Sequence, residues 1–157
     1  HGLIEKFPNV HVYIIGGGPT QESFQKRIDE LNISSNITLL GSQSNPYPYL
    51  KAADLLVCSS IYEGFSTYIT EGLILGKPIV TTDCAGMREL LGDSEFGLIT
   101  ENNDEGFYEG MKRMLADAEL REHYSVQAQK RGQDFRKEYL VRQTEEYFKK
   151  VLEEKEP

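Results

Sequence analysis

The sequence predicts an α/β fold, a parallel sheet flanked by helices, followed by a purely helical C-terminal extension. Short apolar runs alternate with helix-period segments as far as Thr100, as βαβ units do. Val10-His-Val-Tyr-Ile-Ile15 is near-continuously apolar, the pattern of a parallel strand buried on both faces. After residue 101 the strand signals cease, and Glu and Lys become dense.

Each element has its own signal. Gly2 to Pro8 reads as the end of a helix stopped by Pro8 and Asn9. The strand 10–15 breaks at Gly16-Gly-Gly-Pro19, and a helix follows with Phe24, Ile28 and Leu31 on one face. Ile37-Thr-Leu-Leu40 is the second strand. Ser42 to Pro48 is a turn-rich loop, and a short helix runs from Leu50 to Ala53. Leu55 to Ser59 is the third strand. A helix from about Ser66 to Leu75 stops at Gly76 and Pro78, the residues that commonly end helices. Ile79-Val-Thr-Thr82 is the fourth strand, Met87 to Leu91 a short helix, and Gly97 to Thr100 the fifth strand. Three helices complete the chain: Asp104–Leu115, Ala118–Gly132 and Phe135–Glu154. On the last, Val141, Thr144, Phe148, Val151 and Leu152 form a stripe expected to dock onto its own domain. Residues 1–157 are expected to form one domain.

Composition excludes several classes. The 17 basic and 25 acidic residues give a net charge of −8, which argues against a nucleic-acid-binding surface. No window approaches ~18 uninterrupted apolar residues. The first residues lack the apolar run and cleavage site of a signal peptide, and the chain opens as if inside a helix, the expectation for a piece of a longer protein. Cys58 and Cys84 read as free buried thiols. No His, Cys or acid spacing suggests a metal site. His1 reads as a cloning remnant, His11 as structural, and His123 as a helix-surface residue.

In parallel sheets ligands bind at the carboxyl ends of the strands. The Gly16 loop, the Glu63 loop and the Asp83 loop are all expected there. The glycines permit close backbone approach to a ligand, but they equally serve a tight strand-to-helix turn, and the residues leave both readings open. Gly16-Gly-Gly-Pro19 has neither the Gly-x-Gly-x-x-Gly spacing nor a following Gly-Lys-Ser/Thr. The richest segment is Glu63-Gly-Phe-Ser-Thr-Tyr-Ile-Thr-Glu71. Ser66 or Thr67 is placed to cap a helix whose first amides could bind an anion. Glu71, a turn further on, could accept hydrogen bonds from vicinal hydroxyls, and Glu63 could reach another hydroxylated group of the same ligand. The plainer alternative is two surface glutamates. Arg88 and Lys77 read as salt-bridged surface residues.

Glu63-Gly-Phe-Ser-x-x-x-x-Glu71-Gly-x-x-x-Gly76-x-Pro78-Ile-Val-x-x-Asp83 resembles the Glu-x7-Glu region of retaining GT-B glycosyltransferases of the family 4 type. The resemblance extends to Val12-Tyr-Ile-Ile-Gly16-Gly-Gly-Pro19, Ile37-Thr-Leu-Leu-Gly41, Tyr49-Leu-Lys-Ala-Ala-Asp54, Gly86-Met-Arg-Glu89 and Gly97-Leu-Ile-Thr100, in order along nearly the whole chain. It implies a Rossmann-like domain, the donor-binding half of a GT-B fold. It implies that Glu63 serves catalysis by contacting the donor sugar, and that Glu71 holds the nucleotide ribose. Gly64, Phe65, Ser66 and Thr67 would offer backbone amides to sugar and pyrophosphate, Gly17 and Gly18 would lie near the donor, and Leu40 and Gly41 would border the base. The implied reaction moves a sugar from a nucleoside diphosphate sugar to an acceptor hydroxyl with retention, without metal or other cofactor.

The resemblance also marks departures. Family members carry an arginine and a lysine that clamp the diphosphate, ahead of the point where this sequence begins, and an N-terminal acceptor-binding domain. Neither is in this sequence, so the 157 residues alone are expected to be inert and to bind donor weakly. Ala85 stands where the family's Asp-x-Gly-Gly pattern has glycine. The expected location is the cytoplasm, with any peripheral contact at the inner face of a membrane made through the acceptor domain. The rival readings are a nucleotide-sugar epimerase and a non-enzymatic nucleotide-binding module.

Overall fold

The computed structural model describes residues 2–153, so His1 and Glu154 lie outside the described residues. These fall into two compact units divided between Tyr49 and Leu50.

In the first unit, helix α1 (Gly2–Lys6) precedes strand β1 (Val12–Ile15), helix α2 (Gln21–Glu30) and strand β2 (Ile37–Gly41). The two strands pair in parallel, Val12 opposite Ile37, with an irregularity after Ile14. Ile28 of α2 and Ile33 are its buried apolar residues among those described. The expectation that β1 is buried on both faces is corrected. Tyr13 is 58% and Ile14 39% exposed, because a strand in a two-stranded ribbon has too few neighbours to cover both faces.

Helix α3 (Tyr47–Ala52) spans the division. It begins three residues earlier than the sequence suggests. Pro48 falls in its first turn, where a missing amide costs nothing.

The second unit continues with β3 (Leu56–Cys58), α4 (Thr67–Ile74), β4 (Ile79–Thr82), α5 (Met87–Leu91), β5 (Leu98–Thr100), α6 (Asp104–Ala116), α7 (Ala118–Gly132), a 3₁₀ turn at Gln133–Phe135 and α8 (Lys137–Glu153). The three strands form a parallel sheet in the order β3-β4-β5. The single sheet expected from the sequence is thus two sheets, of two and three strands. All four residues of β4 are buried, as the central strand of a parallel sheet requires. Successive residues of β4 face opposite layers. Ile79 meets α4 at Gly72, and Val80 meets α6 at Gly110. A Cβ at Gly72 would stand 2.8 Å from Leu56 Cδ1, so a side chain there would force Leu56 to move. Val80, Met114 and Tyr124 centre a cluster with Leu55, Leu98, Phe107, Met111 and Leu120.

Caps fix the C-terminal helices. Asn103 accepts from the Gly106 amide at 2.7 Å, and Asp117 from the Leu120 amide at 2.9 Å. Arg121 Nη1 donates to the last α6 carbonyls, those of Met114 and Leu115. The expectation for α8 is overturned: no described residue of α8 is buried, and Phe148 and Leu152 are exposed. Its apolar stripe has the right period, but contact with the 3₁₀ turn leaves most of it uncovered. No helix among the described residues is long and apolar enough to cross a membrane.

Candidate functional site

In the second unit the loops after β3, β4 and β5 leave the carboxyl ends of three adjacent parallel strands. They are tied together through backbone groups of the Glu63 loop. Thr82 Oγ1 donates to the Ser60 carbonyl at 2.6 Å, and Asn102 Nδ2 donates to the Ile61 carbonyl at 3.0 Å. Gly86, at φ +83°, packs so closely on Gly64 that a Cβ would overlap the Gly64 carbonyl oxygen. The backbone is held while Ile61, Tyr62 and Phe65 stay exposed.

Ser66 occupies the N-cap of α4 with extended φ −79° and ψ 111°, but its side chain makes no capping bond. The expected position is right and the expected capping bond is missing. The Ser66 carbonyl accepts from the Thr70 amide at 3.1 Å and from Thr70 Oγ1 at 2.9 Å. The amides of Thr67, Tyr68 and Ile69 have no carbonyl to bond within the helix. The first turn holds no acidic residue to offset the positive end of the helix dipole. Glu71 follows one turn on, half-buried. Glu63 Oε2 accepts from Ser60 Oγ at 3.4 Å, and that hydroxyl lies 3.4 Å from Cys58 Sγ.

The surrounding side chains hold the site's shape. Arg88 takes Asp83 with two bonds, of 3.2 and 2.6 Å, and Asp93 with a third of 2.6 Å. These carboxylates, Asp83 foremost, hold its guanidinium further above its already high pKa. Arg88 is ion-paired, as the sequence suggested. Lys77 differs: its ammonium donates to the Ala53 carbonyl at 2.9 Å. Cys58 and Cys84 are free thiols, only half-buried. Burial first, then the neighbouring Cys58 and Glu63, push the Cys84 thiol up, so it stays protonated at neutral pH and is a poor nucleophile. The Tyr68 phenol is pushed up to about 12 by burial, opposed by a hydrogen bond with the Val57 backbone. That bond ties the first turn of α4 to β3.

In the first unit, Gly17, Gly18, Leu40 and Gly41 gather at the carboxyl ends of β1 and β2. The Gly16 amide donates to the Gly41 carbonyl at 2.9 Å, and Gly17 lies against Ser42. An open cavity of about 560 Å³ is lined by Gly18, Pro19, Gln21, Glu22, Gln25 and Leu39. Leu39 rather than Leu40 lines it. Neighbouring strand residues face opposite ways, and Leu-Leu leaves the register open. Sequence reasoning also missed Thr82 and Asn102. A threonine ending a buried strand is a weak signal, and Asn102 offers none. A cavity of about 590 Å³ along β5 and α6 includes Thr100, Glu101 and Arg113 and none of the expected site residues. His11 accepts or donates to Thr38 Oγ1 at 2.8 Å and packs on Tyr13, as a structural histidine does. Among the described residues, no group of three or more His, Cys, Asp and Glu could hold a metal ion.

Comparison with known proteins decides the family. The family model described as "Glycosyl transferases group 1" matches residues 2–131. The chain belongs to this family. Among relatives of the group 1 glycosyl transferases, one is the N-acetylgalactosamine-N,N'-diacetylbacillosaminyl-diphospho-undecaprenol 4-alpha-N-acetylgalactosaminyltransferase of Campylobacter jejuni. It is 36% identical over 142 residues, covering 89% of this chain and 39% of the relative. The lipopolysaccharide core biosynthesis glycosyltransferase LpsE of Rhizobium meliloti is 32% identical, covering 77% of this chain and 37% of the relative. The chain thus spans less than half the length of these curated relatives. Solved structures share the fold. Sucrose-phosphate synthase of Thermosynechococcus elongatus superposes with a TM-score of 0.81 at 20% identity, covering 96% of this chain and 41% of that one. Anabaena HepE in complex with UDP superposes with a TM-score of 0.80 at 21% identity, covering 91% and 42%. This α/β chain therefore has the Rossmann-like architecture of GT-B glycosyltransferases.

Proposed function

We propose that this chain is the donor-binding part of a glycosyltransferase that moves a sugar from a nucleoside diphosphate sugar to an acceptor hydroxyl with retention of configuration. The observation that carries the reading is the start of α4. Its first-turn amides are uncapped by Ser66, and Glu63 and Glu71 flank them in sequence on either side. The amides and helix dipole favour a diphosphate. They would stabilise the charge that develops there as the sugar leaves. Glu71 accepts from the ribose hydroxyls and Glu63 from the sugar. Gly64, Phe65, Ser66 and Thr67 supply backbone amides. Gly17, Gly18, Leu40 and Gly41 form the donor-facing surface of the first unit. The acceptor is bound by the N-terminal domain of a longer parent protein.

Gly64 supports the same reading. Its φ is not positive, and a Cβ there meets nothing within 4 Å, so the chain itself does not require glycine. A ligand lying against the backbone does.

Titrating the chain with UDP, GDP and ADP while following amide shifts tests the proposal. One nucleotide is expected to bind and to move the amides of residues 64–67. A charge-assisted hydrogen bond contributes about 1.5–3 kcal/mol, so Glu71→Ala should weaken binding by roughly 10- to 100-fold. Gly64→Ala should weaken it with no loss of thermal stability. Unchanged affinity in Glu71→Ala would remove the ribose role. Binding by none of the three nucleotides would remove the donor reading itself.

A further inference from the structure

The Glu63 loop is held in an unusual way for an exposed segment. Ile61 and Tyr62 are more than four-fifths exposed, at 84% and 82%, so their side chains do not anchor it. Its first half is fixed through carbonyls by Thr82 and Asn102. At Gly64 the restraint is steric. A Cβ on Gly86 would overlap the Gly64 carbonyl oxygen, approach its carbonyl carbon to 2.8 Å and reach 3.6 Å from the Phe65 nitrogen. All three neighbours are loop backbone. The tightly packed glycines Gly72 and Gly97 differ, since theirs are core side chains of Leu56, Ile79 and Leu91.

We propose that Gly86 is a positioning residue for donor binding: the absence of its side chain lets the turn after β4 seat the Gly64–Ser66 backbone, and with it Glu63 and the first amides of α4. The inference rests on the donor-binding reading. Arg88 also braces the turn, by its bonds to Asp83 and Asp93. The turn thereby becomes a fixed wall against which the loop closes. Any side chain at position 86 pushes the Gly64 carbonyl outward and carries the amides with it. Displacing a binding group by ~1 Å can cost about 100-fold in function.

The control is Gly76→Ala. Gly76 also has a positive φ, +64°, but its neighbour is Gln129. Both variants therefore carry the strain of a left-handed alanine. Both are made in the 157-residue chain and compared by thermal melting, by amide spectra without nucleotide, and by UDP, GDP and ADP titration. Both variants are expected to fold, with Gly86→Ala melting below Gly76→Ala, because its Cβ displaces loop backbone and that of Gly76 meets only the Gln129 side chain. The free-state amides of Gly64, Phe65 and Ser66 shift in Gly86→Ala alone, and only that variant loses at least ~10-fold in nucleotide affinity. Unshifted loop amides, or wild-type affinity in Gly86→Ala, overturn the proposal. So does a Gly86→Ala chain that unfolds while Gly76→Ala folds, which would make Gly86 a residue of the fold. If wild type binds none of the nucleotides, the donor reading fails, and the free-state spectra alone decide whether Gly86 seats the loop.

Discussion

Tyr68 joins the two requirements placed on the start of α4. Its amide belongs to the first turn, and its phenol is buried where it meets the Val57 backbone. Burial disfavours the phenolate, which lifts the pKa from 10.0 to about 12. The folded chain therefore holds the phenol proton more tightly than the unfolded one. The resulting stability is complete below pH ~10 and is lost as pH rises through about 12, up to roughly 3 kcal/mol. Urea unfolding at pH 8 and pH 11 should show wild type losing more stability than Tyr68→Phe over that interval. Equal losses would mean that the phenol titrates as in the unfolded chain. None of this is legible in sequence, where Tyr68 is only one of nine tyrosines. Residues that act through their own backbone conformation were easier to find. Gly76 before Pro78 marks the end of α4, and it does have a positive φ of +64°. Ser66 was legible as the N-cap by position, but its lack of a capping bond was not, since no local pattern records where a buried side chain turns.

At the scale of elements, the helices after β5 carry their own stops and starts. Asp117 is the hinge between two of them. Its amide donates to the Arg113 carbonyl at the end of α6, and its carboxylate accepts from the Leu120 amide at the start of α7. Asp117→Ala should cost about 1 kcal/mol, read as a lower urea midpoint with unchanged slope, and Asp117→Asn should recover most of it. Loss in both variants would show that the charge, and not the cap, is what counts. Such a cap explains why the start of Ala118–Gly132 was legible from sequence, while Gly76 and Pro78 mark where α4 ends and the strand Ile79–Thr82 begins. Where neighbours decide instead, sequence reading failed. The apolar run at β1 has the composition of a central strand but pairs with one partner, and the stripe of α8 has the period of a docked helix but stays exposed. Periodicity reports which face is apolar; only tertiary contacts say whether anything covers it.

At the scale of the whole chain, burial is unevenly shared. The second unit holds Ile69, Leu73, Ile79, Val80, Met87, Leu90, Leu91 and Met114 at 0% exposure, whereas the first has Ile28 and Ile33 as its buried apolar residues among those described. Burying one large aliphatic side chain contributes about 1.5–3 kcal/mol, so two cannot offset the ordering of more than forty residues. The pairing of β1 with β2 is thus predicted to open far more readily than that of β4 with its neighbours. Amide hydrogen exchange measures this directly. Val80 and Thr81 should exchange only through global unfolding and respond to urea with the full slope. Tyr13, Ile14 and Leu39 should exchange orders of magnitude faster, by local opening with a shallow slope. Equal protection of β1 and β4 would contradict it, since the surfaces that β1 leaves open could not then be limiting. The outcome bears on function. The Gly16 loop and Gly41 hang on the weakly held β1–β2 pair, while the Glu63 loop hangs on the strongly held β3–β4–β5 sheet. A ligand that engages the Gly16 loop should therefore raise protection at Ile14 and Leu39 much more than one that engages residues 63–71 raises it at Val80.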